Sequence, residues 1–220
     1  MVRKTVMCVV VVLGFAAVAE ARPDSLMFNR NYYGISGGLG VSLLNAGDVV
    51  DFVSNGTNQS HFAAVAEFFG ALEVQIAENW GIKGEYSYLL NSYNIPQGGI
   101  VLPYSYHVQM PSVLLEYVLK GNGYFFKFGG GGGYHFAQFE QDYPTTSTYR
   151  ARGVGLKIEG EGNTAFDEHL YGYIGADARD DILGDLKDDP GTILVNKSLN
   201  KDVKMNFISV GLKFGLTYFF

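Results

Sequence analysis

The chain alternates apolar with small or polar residues in eight separated runs, over about 31–44, 62–77, 80–90, 104–119, 124–139, 154–166, 170–179 and 206–220. Successive side chains of an extended strand point to opposite faces, so each run predicts a strand with one oily and one polar surface. The last run shows this most clearly. Ile208, Val210, Leu212, Phe214, Leu216, Tyr218 and Phe220 share one face, and Ser209, Gly211, Lys213, Gly215 and Thr217 share the other. In the first run Tyr33, Ile35, Leu39, Val41 and Leu43 stand opposite Gly34, Ser36, Gly38, Gly40 and Ser42.

The connections alternate too. Glu78-Asn79, Lys120 to Gly123 and Asp167 to His169 predict tight turns after the second, fourth and sixth strands. Polar stretches Asn45 to Ser60, Asn91 to Pro103, Gln141 to Gly153 and Asp180 to Asp202 predict long loops after the first, third, fifth and seventh. Past residue 21 the pattern shows no helical periodicity and no apolar run that spans a bilayer as a helix. Two irregularities stand out. Pro111 predicts a bulge or a local break in pairing, and Gly129 to Gly133 predict a close backbone approach or a bend in the wall. A phosphate-cradling loop at these glycines lacks the strand-to-helix context it needs.

An even number of strands with alternating short turns and long loops, and with apolar-out, polar-in faces, is the sequence form of a membrane β-barrel. The predicted fold is therefore all-β, an eight-stranded antiparallel transmembrane up-and-down barrel. A lipocalin-like soluble barrel would invert the two faces. The terminal run Lys213-Phe214-Gly215-Leu216-Thr217-Tyr218-Phe219-Phe220 resembles the C-terminal assembly signal of bacterial outer-membrane barrels. That resemblance implies that Lys213, Gly215, Tyr218 and Phe220 are read by the barrel-assembly machinery. Across the mature chain the pattern is similar to the small outer-membrane barrels of the OmpA and OmpX type, a porin-like family.

The start of the chain fits export. Arg3 and Lys4 precede an apolar segment Val6 to Val18 and the small-residue site Ala19-Glu20-Ala21, so residues 1–21 read as a cleaved signal peptide and 22–220 as the barrel domain. Removing Arg3, Lys4 and Glu20 from 16 basic and 22 acidic residues leaves 14 against 21, a net charge of −7. This acidic balance argues against nucleic acid as a partner. The single cysteine, Cys8, lies in the signal segment, so no disulfide is expected in the mature chain.

The polar faces carry the candidate chemistry. Glu67, Glu73, Glu85, Glu116, Glu159, Glu161 and Asp177 are opposed by Lys83, Lys127, Lys157, Arg179 and Lys213. Eight strands enclose a space that side chains fill, so these charges are expected to pair across the lumen. The same set offers an alternative, a narrow porin-like path for ions or small solutes. A second alternative is a lipid A-modifying enzyme. Ser105-Tyr106-His107 resembles the spaced His and Ser of lipid A deacylases in reversed order, with Glu140 as the candidate acid.

His61, His135 and His169 are scattered, and the acidic run Asp180, Asp181, Asp185, Asp188 and Asp189 lacks the spacing of a calcium loop. No catalytic residue, metal or cofactor is assigned. The expected partners are outer-membrane lipids, the assembly machinery and a surface ligand of the loops, with the protein a monomer. The expected role is structural or loop-mediated rather than enzymatic.

Overall fold

In a computed structural model, residues 33–54, 62–97, 100–121, 123–142 and 145–220 are described. The expected signal peptide, the lead-in to residue 30 and His61 lie outside them. Eight long strands form the wall: β1 (Tyr33–Asn45), β2 (Phe62–Ala77), β3 (Trp80–Gln97), β4 (Ile100–Lys120), β5 (Tyr124–Asp142), β6 (Thr146–Ala165), β7 (Leu170–Ile182) and β10 (Phe207–Phe219). Each pairs antiparallel with its neighbour in sequence, and β10 closes the ring on β1 from Gly34↔Phe219 to Asn45↔Ile208. Closure leaves no wall strand with an unpaired edge, the condition for a sheet to cross a bilayer.

Side-chain burial follows the predicted alternation. Ile35, Leu39, Leu72, Val113, Leu156 and Ile158 point outward and are exposed, while Ser36, Glu73, Lys83, Glu116 and Lys157 point inward and are buried. Aromatic pairs flank the apolar band. Trp80 packs edge-on against Tyr117 near the turn end, and Tyr134 against Phe136 near the loop end, as membrane-interface girdles do.

The glycine run has a steric cause. A Cβ on Gly131 would lie 2.0 Å from the Val113 carbonyl oxygen, and one on Gly133 would lie 1.8 Å from that of Pro111. Strands β4 and β5 therefore approach more closely than any side chain there permits. The register is the same on both sides of Pro111, from Gln109↔Phe136 to Ser112↔Gly133, so no bulge residue is inserted. The ladder to β5 skips the two positions between.

Three expectations about the loops are corrected. Gly47–Ser54 forms a helix, α1, whose Val49, Val50 and Val53 are buried. Eight residues are too few for a periodic signal, and the apolar face is stabilised by tertiary cover rather than by propensity. The second and third loops are largely strand: β3 and β4 pair out to Gln97↔Ile100, and β5 and β6 out to Asp142↔Thr146. Beyond the bilayer the outer face need not be apolar, so pairing continues where the oily pattern ends.

In the fourth loop β7 runs on to Ile182, and residues 183–206 fold as a cap containing the short strands β8 (Val195–Asn196) and β9 (Lys201–Asp202). Leu183, Leu186, Leu194, Val203 and Met205 of the cap are buried with Leu44, Val49, Tyr106 and Phe139 in one apolar cluster over the loop end. Lys201 also reaches across to Asp48 of α1, and this hydrogen bond raises the lysine pKa.

Candidate functional site

Below the cap lies a compartment of buried charge. All twelve predicted lumen residues point into it, none more than 7 % exposed. Lys83 of β3 is the hub, with its ammonium 2.8 Å from both Glu159 and Glu161, 3.5 Å from Glu85 and 3.8 Å from Glu116. Lys213 lies 2.7 Å from Glu85 and 3.1 Å from Glu67, and Lys157 donates to the same Glu85 oxygen at 2.7 Å. Arg179 joins Glu67 at 2.5 Å and Asp177 at 2.7 Å. Lys127 bonds Glu73 and Glu161. Aromatic rings complete the lysines' surroundings: Lys213 lies 4.8 Å from the Phe69 ring centre and Lys83 5.4 Å from that of Tyr173.

Both ends of this compartment are apolar. At the turn end Phe125, Tyr171 and Phe219 pack as three rings 5.2–5.5 Å apart with Val118 beside them, and Lys127 sits 5.2 Å above Phe125. At the loop end Met110 of the upper cluster contacts the Arg179 guanidinium at 3.6 Å.

Two groups in the lumen were not legible from spacing. His135 of β5 reaches Ser112 of β4 at 3.0 Å through Nε2 and Asp181 of β7 through Nδ1. Sequence reading places Asp181 in the fourth loop, yet it lies inside the barrel at 0 % exposure. The signal was present in its inward parity, two residues beyond Arg179. His135 and Asp181 meet across β6 because Gly155 has no side chain; a Cβ there would lie 2.3 Å from each. Ser, His and Asp stand in the hydrogen-bond order of a serine-hydrolase relay. Ser112 is buried, and the three side chains tie β4, β5 and β7 together.

The second group is Glu73, Glu116 and Glu161, whose oxygens lie within 4.8 Å of one another. By distance they suit a cation, but the Lys127 ammonium already bonds two of the three. Neither Glu116 oxygen accepts a hydrogen bond among the described residues.

Ser105 and His107 share the outward face of β4, and the register sets Glu140 of β5 opposite Ser105. No hydrogen bond joins the three among the described residues: the His107 ring packs 5.5 Å from that of Tyr88, and Glu140 accepts a hydrogen bond from Gln138 at 2.6 Å, so they share a face without forming a relay. His169 binds the Phe219 carbonyl at 2.8 Å. The acidic run is dispersed: Asp188 accepts from the Thr192 N–H at 2.6 Å and Asp189 pairs with Arg150. Of the terminal pattern, Lys213 belongs to the lumen, Gly215 passes close to the Gly37 carbonyl, and Tyr218 and Phe220 lie outside with rings 5.2 Å apart.

The wall, the buried polar lumen and the outward apolar band define the fold of a small outer-membrane β-barrel. Solved structures agree. Neisserial surface protein A superposes with a TM-score of 0.54 at 12% identity, over 86% of this chain and 97% of that one. OprG from Pseudomonas aeruginosa gives 0.53 at 16% identity, over 90% and 99%. Ail, the attachment invasion locus protein of Yersinia pestis, gives 0.52 at 10% identity, over 87% and 99%. No protein-family profile and no curated protein sequence matches the chain.

Proposed function

We propose that the protein is a non-enzymatic outer-membrane scaffold whose lumen is plugged and whose loop-end cap is its working surface, facing the exterior. The observation that carries this reading is the pair of apolar closures, at Phe125, Tyr171 and Phe219 on one side and at the α1 and 183–206 cluster on the other. An ion entering would have to leave water, cross an apolar layer and displace a bonded lysine or carboxylate, and each of those steps is costly. The mature protein in a planar bilayer is therefore expected to give no discrete current steps, with a boiled-versus-unboiled gel shift showing that it is folded. Steady unitary currents from a folded sample would replace the scaffold with a porin-like channel.

The terminal strand supports a second role, as the element that the barrel-assembly machinery grips. It forms the closing seam with β1, and its Phe220 N–H donates to the Tyr33 carbonyl at 2.9 Å. Phe220 itself is 75 % exposed and adds little packing. Deleting Phe220 is expected to lower the folded fraction recovered from cells while leaving refolding from urea into detergent unchanged. Equal losses in both would make Phe220 a stability residue instead.

A further inference from the structure

Two depressions on the outer wall meet at the Tyr134–Phe136 ring pair. The lower one, of about 780 Å³, is an apolar groove across β1 to β5, walled by Ile35, Leu72 and Val113. Its floor includes Gly70 and Gly84, where a Cβ would find no atom nearer than 3.9 Å. The upper one, of about 850 Å³, is a polar cleft between β4, β5, β6 and the cap, lined by His107, Gln109, Arg150, Arg152 and Lys187.

Register fixes the height of this cleft. Phe136 stands opposite Arg152, while the outward positions below Arg152 on β6 are Val154, Leu156 and Ile158. Arg152 is thus the first charge above the apolar band, at the level of lipid headgroups. Three acids also line the cleft. Asp189 pairs with Arg150, while Asp188, which accepts from a backbone N–H, and Asp185 keep their charge. Arg152 and Lys187 form no ion pair among the described residues.

We propose that the two depressions form one binding site for a phosphorylated lipid of the surrounding leaflet. Its phosphate engages Arg152 and Lys187, and one acyl chain runs past Tyr134 and Phe136 into the groove. Continuity and charge select this occupant: a peptide has no reason to extend into an apolar groove facing the bilayer, and Arg152 and Lys187, two cations lining one cleft, match a phosphate dianion. The assignment rests on the membrane placement of the barrel, which the gel shift and insertion into nanodiscs check separately.

The test is native mass spectrometry of the folded barrel released from phosphatidylcholine nanodiscs. These carry a minor fraction of bis-phosphorylated lipid A or, in parallel, its dephosphorylated form. Retention of one phosphorylated lipid, roughly ten-fold above the dephosphorylated one, is expected. Arg152→Gln with Lys187→Gln should abolish that preference, and Gly84→Leu, which fills the groove, should weaken retention of both forms. Unchanged preference in the double variant, or equal retention of the two lipids by the parent, overturns the proposal. So does displacement of the lipid by inorganic phosphate alone, which would show an anion site without a tail groove. A lipid-independent dimer that buries the cleft would assign the surface to a second copy.

Discussion

Replacing Lys83 with methionine lowers stability by about 3–5 kcal/mol, the cost of leaving buried charge unpaired. The ammonium is fully buried and lies within 3.8 Å of four carboxylates, so its loss leaves Glu159 and Glu161 each without one donor and concentrates negative charge in a closed space. Urea unfolding in lipid vesicles, followed by the fluorescence of the single Trp80, measures the change. Glu116→Gln provides the contrast. Its carboxylate accepts no hydrogen bond and crowds Glu73 and Glu161, so removing the charge is expected to be neutral or stabilising. If Lys83→Met costs less than about 1 kcal/mol, water must reach the network. The lumen would then be a hydrated path and the plugged-scaffold reading would fail.

Gly131→Ala is expected to be strongly damaging for a single methyl group, at about 3 kcal/mol or more, the upper end for overpacking. The added carbon would lie 2.0 Å from the Val113 carbonyl oxygen and 2.8 Å from the Leu114 Cα. Both obstacles are backbone, so relief requires β4 and β5 to separate and lose ladder hydrogen bonds. The adjacent Gly130→Ala points to the outer face, where the nearest atom is Ile158 Cγ2 at 3.9 Å. Its expected effect is within about 1 kcal/mol and on the favourable side, because alanine restricts the unfolded chain. Equal folded yields for the two variants in a heat-modifiability assay would mean that β4 and β5 are not packed as closely as this register requires.

How much was legible in the sequence differs between wall and contents. The inward parity of Glu67, Lys83, Glu116, Lys157 and Lys213 needed only the two-residue period of a strand, since a closed eight-stranded wall leaves one face for lipid and one for the lumen. Which carboxylate meets which lysine did not follow. Lys83 and Glu161 are far apart in the chain and are joined by strand stagger and barrel diameter. The helix at Gly47–Ser54 was missed because its three valines signal burial only once the 183–206 segment is there to cover them. Asp181 was misplaced because its acidic neighbours read as loop, although its parity continued β7.

The sequence by itself determined the number of wall strands, the faces of the residues read within them, the turns at Asn79, Gly123 and Glu168, and a strand at 206–220 that closes the ring. These are local properties, carried by period and turn chemistry within a few residues. Only the tertiary structure decided that aromatic and aliphatic clusters lie at both ends of the lumen, and that Gly155 lets His135 and Asp181 meet. It alone placed Arg152 at the upper edge of an apolar groove. Those features depend on contacts between residues distant in the chain, and local pattern carries no record of such distances.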